Sequence, residues 1–531
     1  LIQIHSRQVG LITVGLALLV IWSVVSALTA CLNESPRFAG VAQAAGPGAF
    51  EAARWLLGRF GLLDGTGSCE PASLARLLGL AGLVYLAGLL ILDGGRLPRR
   101  FALGVVLGVA LACQLVLFAT PALLSTDILD YASYGRVAGV YGLNPYVVTP
   151  EATLPADPFF GFGAWQQVVT VYGPLWTSID AALARLLPAG DPVQMVLAYK
   201  ALALLVQLAN LGLVGWLVGR WLPVEQQVSA FALFAWNPLL LLELVGNGHN
   251  DVLMVFFLLA ATVALTLASR SGSAWGWVAA LVSLELGALV KFVPLAVMAA
   301  VMLVWLRRLP TARQRLQHGV LVGALLVGIA GLVSWPWLSS ADVLQPLLGI
   351  ANGGQRFKDG WQDALAAWIA VRILPPLGVP AEPAQVRESV SRSMAWGLSR
   401  AIFLVYVGFE VVWLWRASRA WEVAAVKAIA QSSARLLLLA VLLFVTQVYA
   451  WYFLWPLPLA TLLGWRNPVT KAVVAFGLAF LPAYYLREFQ SYGVFYLPLY
   501  VLAALILLGV TWGSDHLPRR RAWRALSEAA S

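Results

Sequence analysis

Residues 125–136, Ser-Thr-Asp-Ile-Leu-Asp-Tyr-Ala-Ser-Tyr-Gly-Arg, set two carboxylates and two phenols directly after a long apolar segment. Ser125 or Thr126 can cap a helix there, which puts Asp127 in its first turn. The N-terminal end of the helix dipole favours an ionised carboxylate, and an ionised carboxylate can accept a proton from a hydroxyl. Asp127 and Tyr131 are four residues apart and share a face; Asp130 and Tyr134 form a second such pair, rotated by almost a turn from the first. Asp127 is therefore the candidate general base, with Asp130, Tyr131 and Tyr134 beside a substrate. An acidic helix start at a membrane interface accounts for the same residues without any chemistry.

Further along, groups that could hold an anion recur. Gly246-Asn247-Gly248-His249-Asn250-Asp251 is a short polar turn between apolar walls, with Glu243 just before it. An imidazole at a membrane surface can hold a phosphate or carry a proton, so His249 is a phosphate-binding candidate, with Asn250 and Asp251 near a substrate. The plain alternative is a polar hairpin. Lys291 stands between two apolar segments, where a central charge costs about 2.5–3.5 kcal/mol; it either snorkels to the interface or meets an anion in a polar cavity. Arg356 and Lys358 sit beside Phe357 and Trp361. Two cations next to aromatics suit a phosphate and a sugar ring, and they equally suit a solvated loop. Tyr172 and Trp176 lie in an aromatic stretch that becomes amphipathic after Pro174, which predicts a helix lying along the interface.

These groups must be positioned by a membrane protein. The chain of 531 residues is 60% hydrophobic and 11% charged, against about 25% charged for a soluble domain; its mean hydropathy is +0.81. Apolar runs of membrane-spanning length are continuous rather than alternating, so the spans are helices and not barrel strands. About 14 are expected: near 8–31, 73–92, 101–119, 194–219, 228–245, 251–269, 275–290, 292–306, 317–335, 397–416, 434–449, 453–465, 469–486 and 492–512. The first is too long and lacks a cleavage site for a signal peptide. The net charge of +10 comes from arginines in short loops, the positive-inside pattern, and not from a nucleic-acid surface. With both termini cytoplasmic, the clusters at Arg96–Arg100, Arg307–Arg315, Arg416–Lys427 and Arg519–Arg524 all fall inside.

The same register puts 32–72, 120–193 and 336–396 outside, together with the candidate base and cations. Cys31 and Cys69 bracket the first of these segments and would share an oxidising compartment, where they either pair or stay as thiols. Cys113 lies mid-span as a packing residue. No Cys, His and acid cluster has metal-ligand spacing, and there is neither a Walker loop nor a GxSxG elbow. No cofactor is expected. One carboxylate facing several cations on one side of a bilayer is the outline of a group-transfer site that draws on a lipid-linked substrate.

The stretches TDILDYASYGRVAGVYGLNPY, VYGPLW, GNGHNDVLM and KFVPLAV resemble the GT-C superfamily of membrane glycosyltransferases. They are most similar to bacterial polyprenyl-phosphate-mannose-dependent α-mannosyltransferases, including the α-1,6 enzymes and glycosyltransferase family 87. The resemblance covers roughly 100–360. It implies an all-α polytopic GT-C fold in the plasma membrane, with a catalytic acid in the first large outer loop that Asp127 matches. It also implies a polyprenyl-phosphate sugar donor, with mannose as the sugar, and a glycan or glycolipid acceptor. On this reading transfer proceeds with inversion on the extracytoplasmic face, with Arg356, Lys358, Lys291 and His249 on the donor phosphate and no metal required. The catalytic loop follows the third span rather than the first. The chain then divides into an added N-terminal hairpin (1–98), a catalytic module (99–335) and an outer loop with C-terminal helices (336–531). The rivals are a lipid or ion transporter, which would pair charges within broken midplane helices, and a transferase of phosphoethanolamine or acyl groups.

Overall fold

The computed structural model describes residues 2–32, 71–93, 97–120, 123–338, 360–379, 384–418 and 423–490, with a few isolated positions outside those ranges. The first three helices are α1 (Ile2–Leu32), α2 (Pro71–Leu92) and α3 (Arg99–Ala119). The short α4 (Asp127–Gly139) and α5 (Pro174–Leu186) follow, then α6 (Pro192–Trp221). Next are α7 (Val224–Ala235), α8 (Asp251–Ser271), α9 (Ala274–Ala288), α10 (Pro294–Arg308) and α11 (Ala312–Ser334). The last are α12 (Trp361–Trp368), α13 (Ala384–Ala417), α14 (Val423–Leu439), α15 (Leu457–Leu462) and α16 (Pro468–Gln490).

Among the described residues ten helices are long and apolar enough to cross a bilayer. They are α1, α2, α3, α6, α7 with its continuation to Gly246, α8, α11, α13, α14 and α16. The expectation of a larger number changes for physical reasons. The segments 275–290 and 292–306 became α9 and α10, of 15 residues each. At 1.5 Å per residue each reaches ~22 Å, less than the ten longer helices, although α9 returns from the close of α8 to Lys291 beside Asp251 and α10 runs back to Arg307. The segment 453–465 is broken: a 3₁₀ turn at Ala450–Leu454 leads through Pro456 into α15. It runs from Trp455, bonded to Asp251, to Gly464, where a Cβ would stand 3.1 Å from Gln226 Oε1. Irregular backbone at that depth is tolerated because protein surrounds it, and apart from Tyr452 residues 450–462 are buried. The segment 492–512 lies almost wholly outside the described residues.

Local chemistry sets several boundaries. Asp191 caps α6, accepting from Gln194 N at 2.7 Å, with Pro192 in the first turn. Gly272, at φ 70°, closes α8 in the left-handed conformation. Beyond α7, Asn237 caps a new turn, accepting from Leu239 N and Leu240 N, and that turn runs into a π-helical segment at Leu241–Gly246.

The ends of the bundle differ. Lys200 of α6 donates to Leu117 O at 3.2 Å and Thr120 O at 2.5 Å, placing its cation at the carbonyl end of α3. Ser26 and Thr120 join their hydroxyls at the same end. Cys31 and Cys69 are joined there in a disulfide, their Cα atoms 6.1 Å apart, which settles the alternative the sequence left open. Cys113 is buried within α3. At the other end Arg7 reaches Ile91 O, Arg466 faces Asp93 at 3.5 Å, and Arg307 donates to Ser418 Oγ at 3.0 Å.

Candidate functional site

Asp127 opens α4 at the Lys200 end. Ser125 Oγ donates to its Oδ1 at 3.3 Å, and Tyr131 OH donates to its Oδ2 at 3.4 Å, the pairing that four-residue spacing predicts. His249 Nδ1 lies 3.2 Å from the same Oδ2, and the Asp127 side chain keeps 14% of its surface exposed. Burial opposes its charge, but His249 and then Lys291 outweigh burial and hold the carboxyl below the usual range. It is an ionised carboxylate with part of its surface exposed.

His249 is enclosed. Its Nε2 lies 3.2 Å from Glu243 Oε2, so a carboxylate stands at each end of the ring. Trp451 stacks on it with centroids 4.0 Å apart. Burial disfavours the imidazolium, yet Asp127 and Glu243 together raise its pKa to about 9. Glu243 is held in turn by Tyr485 OH and Asn247 Nδ2, both at 2.9 Å. Asn247 Oδ1 accepts from Leu124 N at 2.9 Å, which ties the polar turn to the strand of chain entering α4. The turn reverses at Gly248, φ 64°, where a Cβ would come within 2.5 Å of Ile128.

Lys291 occupies the α9–α10 junction. Its Nζ lies 2.8 Å from Asp251 Oδ2 and over the rings of Tyr452 and Trp455, at 5.3 and 5.8 Å from their centroids. Trp455 Nε1 donates to Asp251 Oδ1 at 2.9 Å. Asp251 is buried whereas the Lys291 side chain is 18% exposed. The same junction braces α5: Gly173 N and Leu175 N donate to Val290 O and Leu289 O.

The remaining sequence candidates divide into lining and support. Tyr172 is half-buried and packs edge-on against Tyr131 at 4.8 Å. Tyr131 and Trp176 are buried and in mutual contact at 5.2 Å. Asn250 N donates to Tyr131 OH at 3.3 Å, and the Asn250 side-chain amide is buried without a hydrogen-bond partner among the described residues. Asp130 turns from Asp127 to the loop after α4, accepting from Trp165 N at 2.9 Å, and burial raises its pKa to about 8. Tyr134 OH donates into that loop too, to Val168 O at 3.0 Å. Arg356 and Lys358 lie outside the described residues.

Several neighbours of Asp127 escaped sequence reasoning: the pairing of Glu243 with His249, and the contributions of Asn247, Trp451, Tyr452, Trp455 and Tyr485. The run QVYAWYFLWPLP is dense in aromatics, a signal that could have marked Trp451, Tyr452 and Trp455.

The sequence was compared with known proteins. A protein-family model described as "Alpha-(1->6)-mannopyranosyltransferase, N-terminal domain" matches residues 37–307. Alpha-(1->6)-mannopyranosyltransferase A of Mycobacterium tuberculosis is 27% identical over 399 residues, covering 73% of this chain and 71% of that protein. Alpha-(1->6)-mannopyranosyltransferase A of Corynebacterium glutamicum is 26% identical over 268 residues, covering 44% of this chain and 50% of that protein. Alpha-(1->6)-mannopyranosyltransferase B of the same organism is 31% identical over 179 residues, 30% of this chain and 27% of that protein. No solved structure matches.

Proposed function

The chain belongs to the alpha-(1->6)-mannopyranosyltransferase family and is a membrane glycosyltransferase. From that premise we propose that it moves a mannosyl residue from polyprenyl-phosphate mannose to a hydroxyl of a glycan or glycolipid, with inversion, on the extracytoplasmic face of the plasma membrane. The observation that carries this reading is the Asp127 carboxylate, ionised and partly exposed, at the same end of the bundle as the partly exposed Lys291 side chain.

In the proposed step Asp127 takes the proton of the acceptor hydroxyl as its oxygen attacks the anomeric carbon. The bond from that carbon to the phosphate oxygen breaks, and the polyprenyl phosphate departs with the electron pair. A β-linked donor then yields an α-glycoside. Lys291 meets the charge that develops on the phosphate, and Arg356 and Lys358 join it in this reading. Tyr172 and Tyr452, both half-buried, line the approach. The unpartnered amide of Asn250 is a polar group that a sugar hydroxyl would satisfy. His249 has both nitrogens against carboxylates and no surface exposed, so its contribution runs through Asp127 rather than directly to phosphate. We read the bundle as a GT-C architecture, with α4 and α5 as helices of the first catalytic loop.

Two features support the extracytoplasmic placement. Arg99, Arg220, Arg270 and Arg307 lie at helix ends away from Asp127, as the positive-inside rule expects of a cytoplasmic surface. The Cys31–Cys69 disulfide lies at the Asp127 end, and such bonds persist in oxidising compartments.

The test supplies purified protein with polyprenyl-phosphate mannose and candidate acceptors and looks for a lengthened product by mass spectrometry. Asp127→Asn should lower turnover by at least ~10²-fold, the lower range for a positioned base, with the detergent-solubilised protein still folded. Near-normal turnover in that variant would move the base elsewhere.

A further inference from the structure

Glu243 has no role in the reaction just described, yet it is a carboxylate fully buried beside a polar turn. It gets there through the π-helical segment Leu241–Gly246, whose wider turn shifts the facing of the side chains that follow. Asn247 N closes that turn on Leu242 O, and His249 N bonds to Glu243 O at 3.1 Å. Residue and imidazole are thereby linked by backbone as well as by their 3.2 Å side-chain contact. Beyond the imidazole, at another 3.2 Å, stands Asp127.

From this carboxylate–imidazole–carboxylate line we infer that Glu243 is a positioning residue, acting through His249 to keep the Asp127 carboxylate ionised and aimed. The inference rests on the proposed reading of Asp127 as the base. Two carboxylates facing each other across a buried ring need a cation between them, and a charged His249 supplies it. Trp451, stacked at 4.0 Å, presents a ring face to that cation and blocks ring rotation. Tyr485 and Asn247 occupy the other lone pairs of Glu243, so it holds the imidazole in one orientation. No proton passes along the line: the acceptor's proton ends on Asp127, and the imidazolium keeps both of its own.

The groups that face His249 come from every neighbouring element. Asp127 of α4 and Glu243 of the π-helical segment meet its nitrogens; Tyr131 is bonded to the first and Tyr485 of α16 to the second, while Tyr449 and Tyr484 pack on Trp451, which stacks on the ring. Asp251 of α8, Lys291 at the α9–α10 junction and Lys200 of α6 lie next outward. Two of these charges, Asp127 and Glu243, raise the His249 pKa from 6.5 to about 9. His249 is therefore cationic at neutral pH and loses its proton as pH passes about 9. Without the Glu243 charge that loss comes earlier. Asp127 then loses its nearest cation while still ionised, and only Lys291 and the Ser125 hydroxyl are left to oppose burial.

The experiment measures kcat against pH for the wild type, Glu243→Gln, Glu243→Asp and His249→Gln, with Asp127→Asn alongside. The alkaline limb of kcat should sit near pH 9 in the wild type. Glu243→Gln should move it down by about one unit or more, so that its loss relative to wild type is about tenfold larger on the alkaline side than on the acid side. Glu243→Asp, which keeps a charge, should shift the limb less. His249→Gln should be slow at every pH and lack the limb; it carries the test if Glu243→Gln does not fold. An equal loss at all pH in Glu243→Gln, or an unmoved limb, overturns the inference and assigns Glu243 to structure. Should Asp127→Asn turn over normally, the reading of the base fails instead, whatever the Glu243 profiles show.

Discussion

Lys291 and Asp251 pose the sharpest question at the scale of single residues, because their ion pair fits a structural part and the proposed donor site alike. Asp251 is enclosed and also receives Trp455 Nε1, whereas Lys291 keeps part of its ammonium stem open over Tyr452. Removing one partner of a buried pair leaves an uncompensated charge and costs about 3–5 kcal/mol. Lys291→Met should therefore lose both thermal stability and use of the polyprenyl-phosphate donor. Lys291→Met with Asp251→Asn removes the orphaned charge, so stability should largely return. If Lys291 meets the phosphate, kcat/KM for the donor should stay down by about tenfold or more in the double variant, as expected for a lost charge-assisted contact. Recovery of donor use in the double variant would make Lys291 a structural residue. A change in acceptor affinity alone would put the phosphate elsewhere.

At the scale of elements, what sets Asp127, the proposed base, in place is the packing of α4 on α5. Gly135 and Gly139 lie one turn apart on α4, and added Cβ atoms would collide with Asp180 O and Ala181 O of α5. The close approach is locked by Arg136, which donates to both oxygens of Asp157 at 2.7 and 2.9 Å and to Pro188 O at 3.1 Å. Gly135→Leu should push the two helices apart, cost about 1–3 kcal/mol as overpacking does, and lower activity without touching a substrate. A thermal melt in detergent beside the turnover assay checks both, and an unchanged melt would mean that α4 does not need this contact. Legibility in the sequence followed the same division. Asp127, His249, Asp251 and Lys291 stood out because charge in an apolar chain is rare, and all four meet in the structure. The i,i+4 pairing of Asp127 with Tyr131 was readable because helix geometry alone dictates it. Trp451, Tyr452 and Trp455 were not, since an aromatic in a greasy chain is unremarkable until a contact some 200 residues distant gives it a role. Asp130 was read as a neighbour of the substrate, while the structure turns it to Trp165, a partner 35 residues away that no local pattern announces. The apolar runs of α9, α10 and α15 were readable as buried, but not their helix lengths of 15, 15 and 6 residues, because hydropathy reports burial, and burial in protein reads the same as burial in lipid.

For the whole molecule, the proposed reaction depends on which end faces which side. Lys200, the Cys31–Cys69 disulfide, Asp127, the 246–251 turn and Lys291 gather at one end, and Arg307, Arg466 and the Asp93 turn at the other. The proposed lipid-linked donor, presented on the outer leaflet, requires that the first end be outside. The three native cysteines suit a labelling test, because two are joined and Cys113 is buried. Phe160, 38% exposed in the loop between α4 and α5, belongs to the Asp127 end, since that loop carries the Trp165 amide bound by Asp130. Ser271, exposed at the close of α8, is a 21-residue helix away from Asp251. That distance is ~30 Å at 1.5 Å per residue, enough to put it across the hydrocarbon core. In intact cells a membrane-impermeant maleimide should label Phe160→Cys and spare Ser271→Cys until the membrane is opened. The reverse pattern would place Asp127 in the cytosol, where a donor displayed on the outer leaflet is out of reach, and the proposed reaction would have to be abandoned even if the protein bound mannosyl lipids. Labelling of both in intact cells would mean that the 251–271 helix does not cross. The arginine-rich end would then owe its charge to something other than orientation in the bilayer.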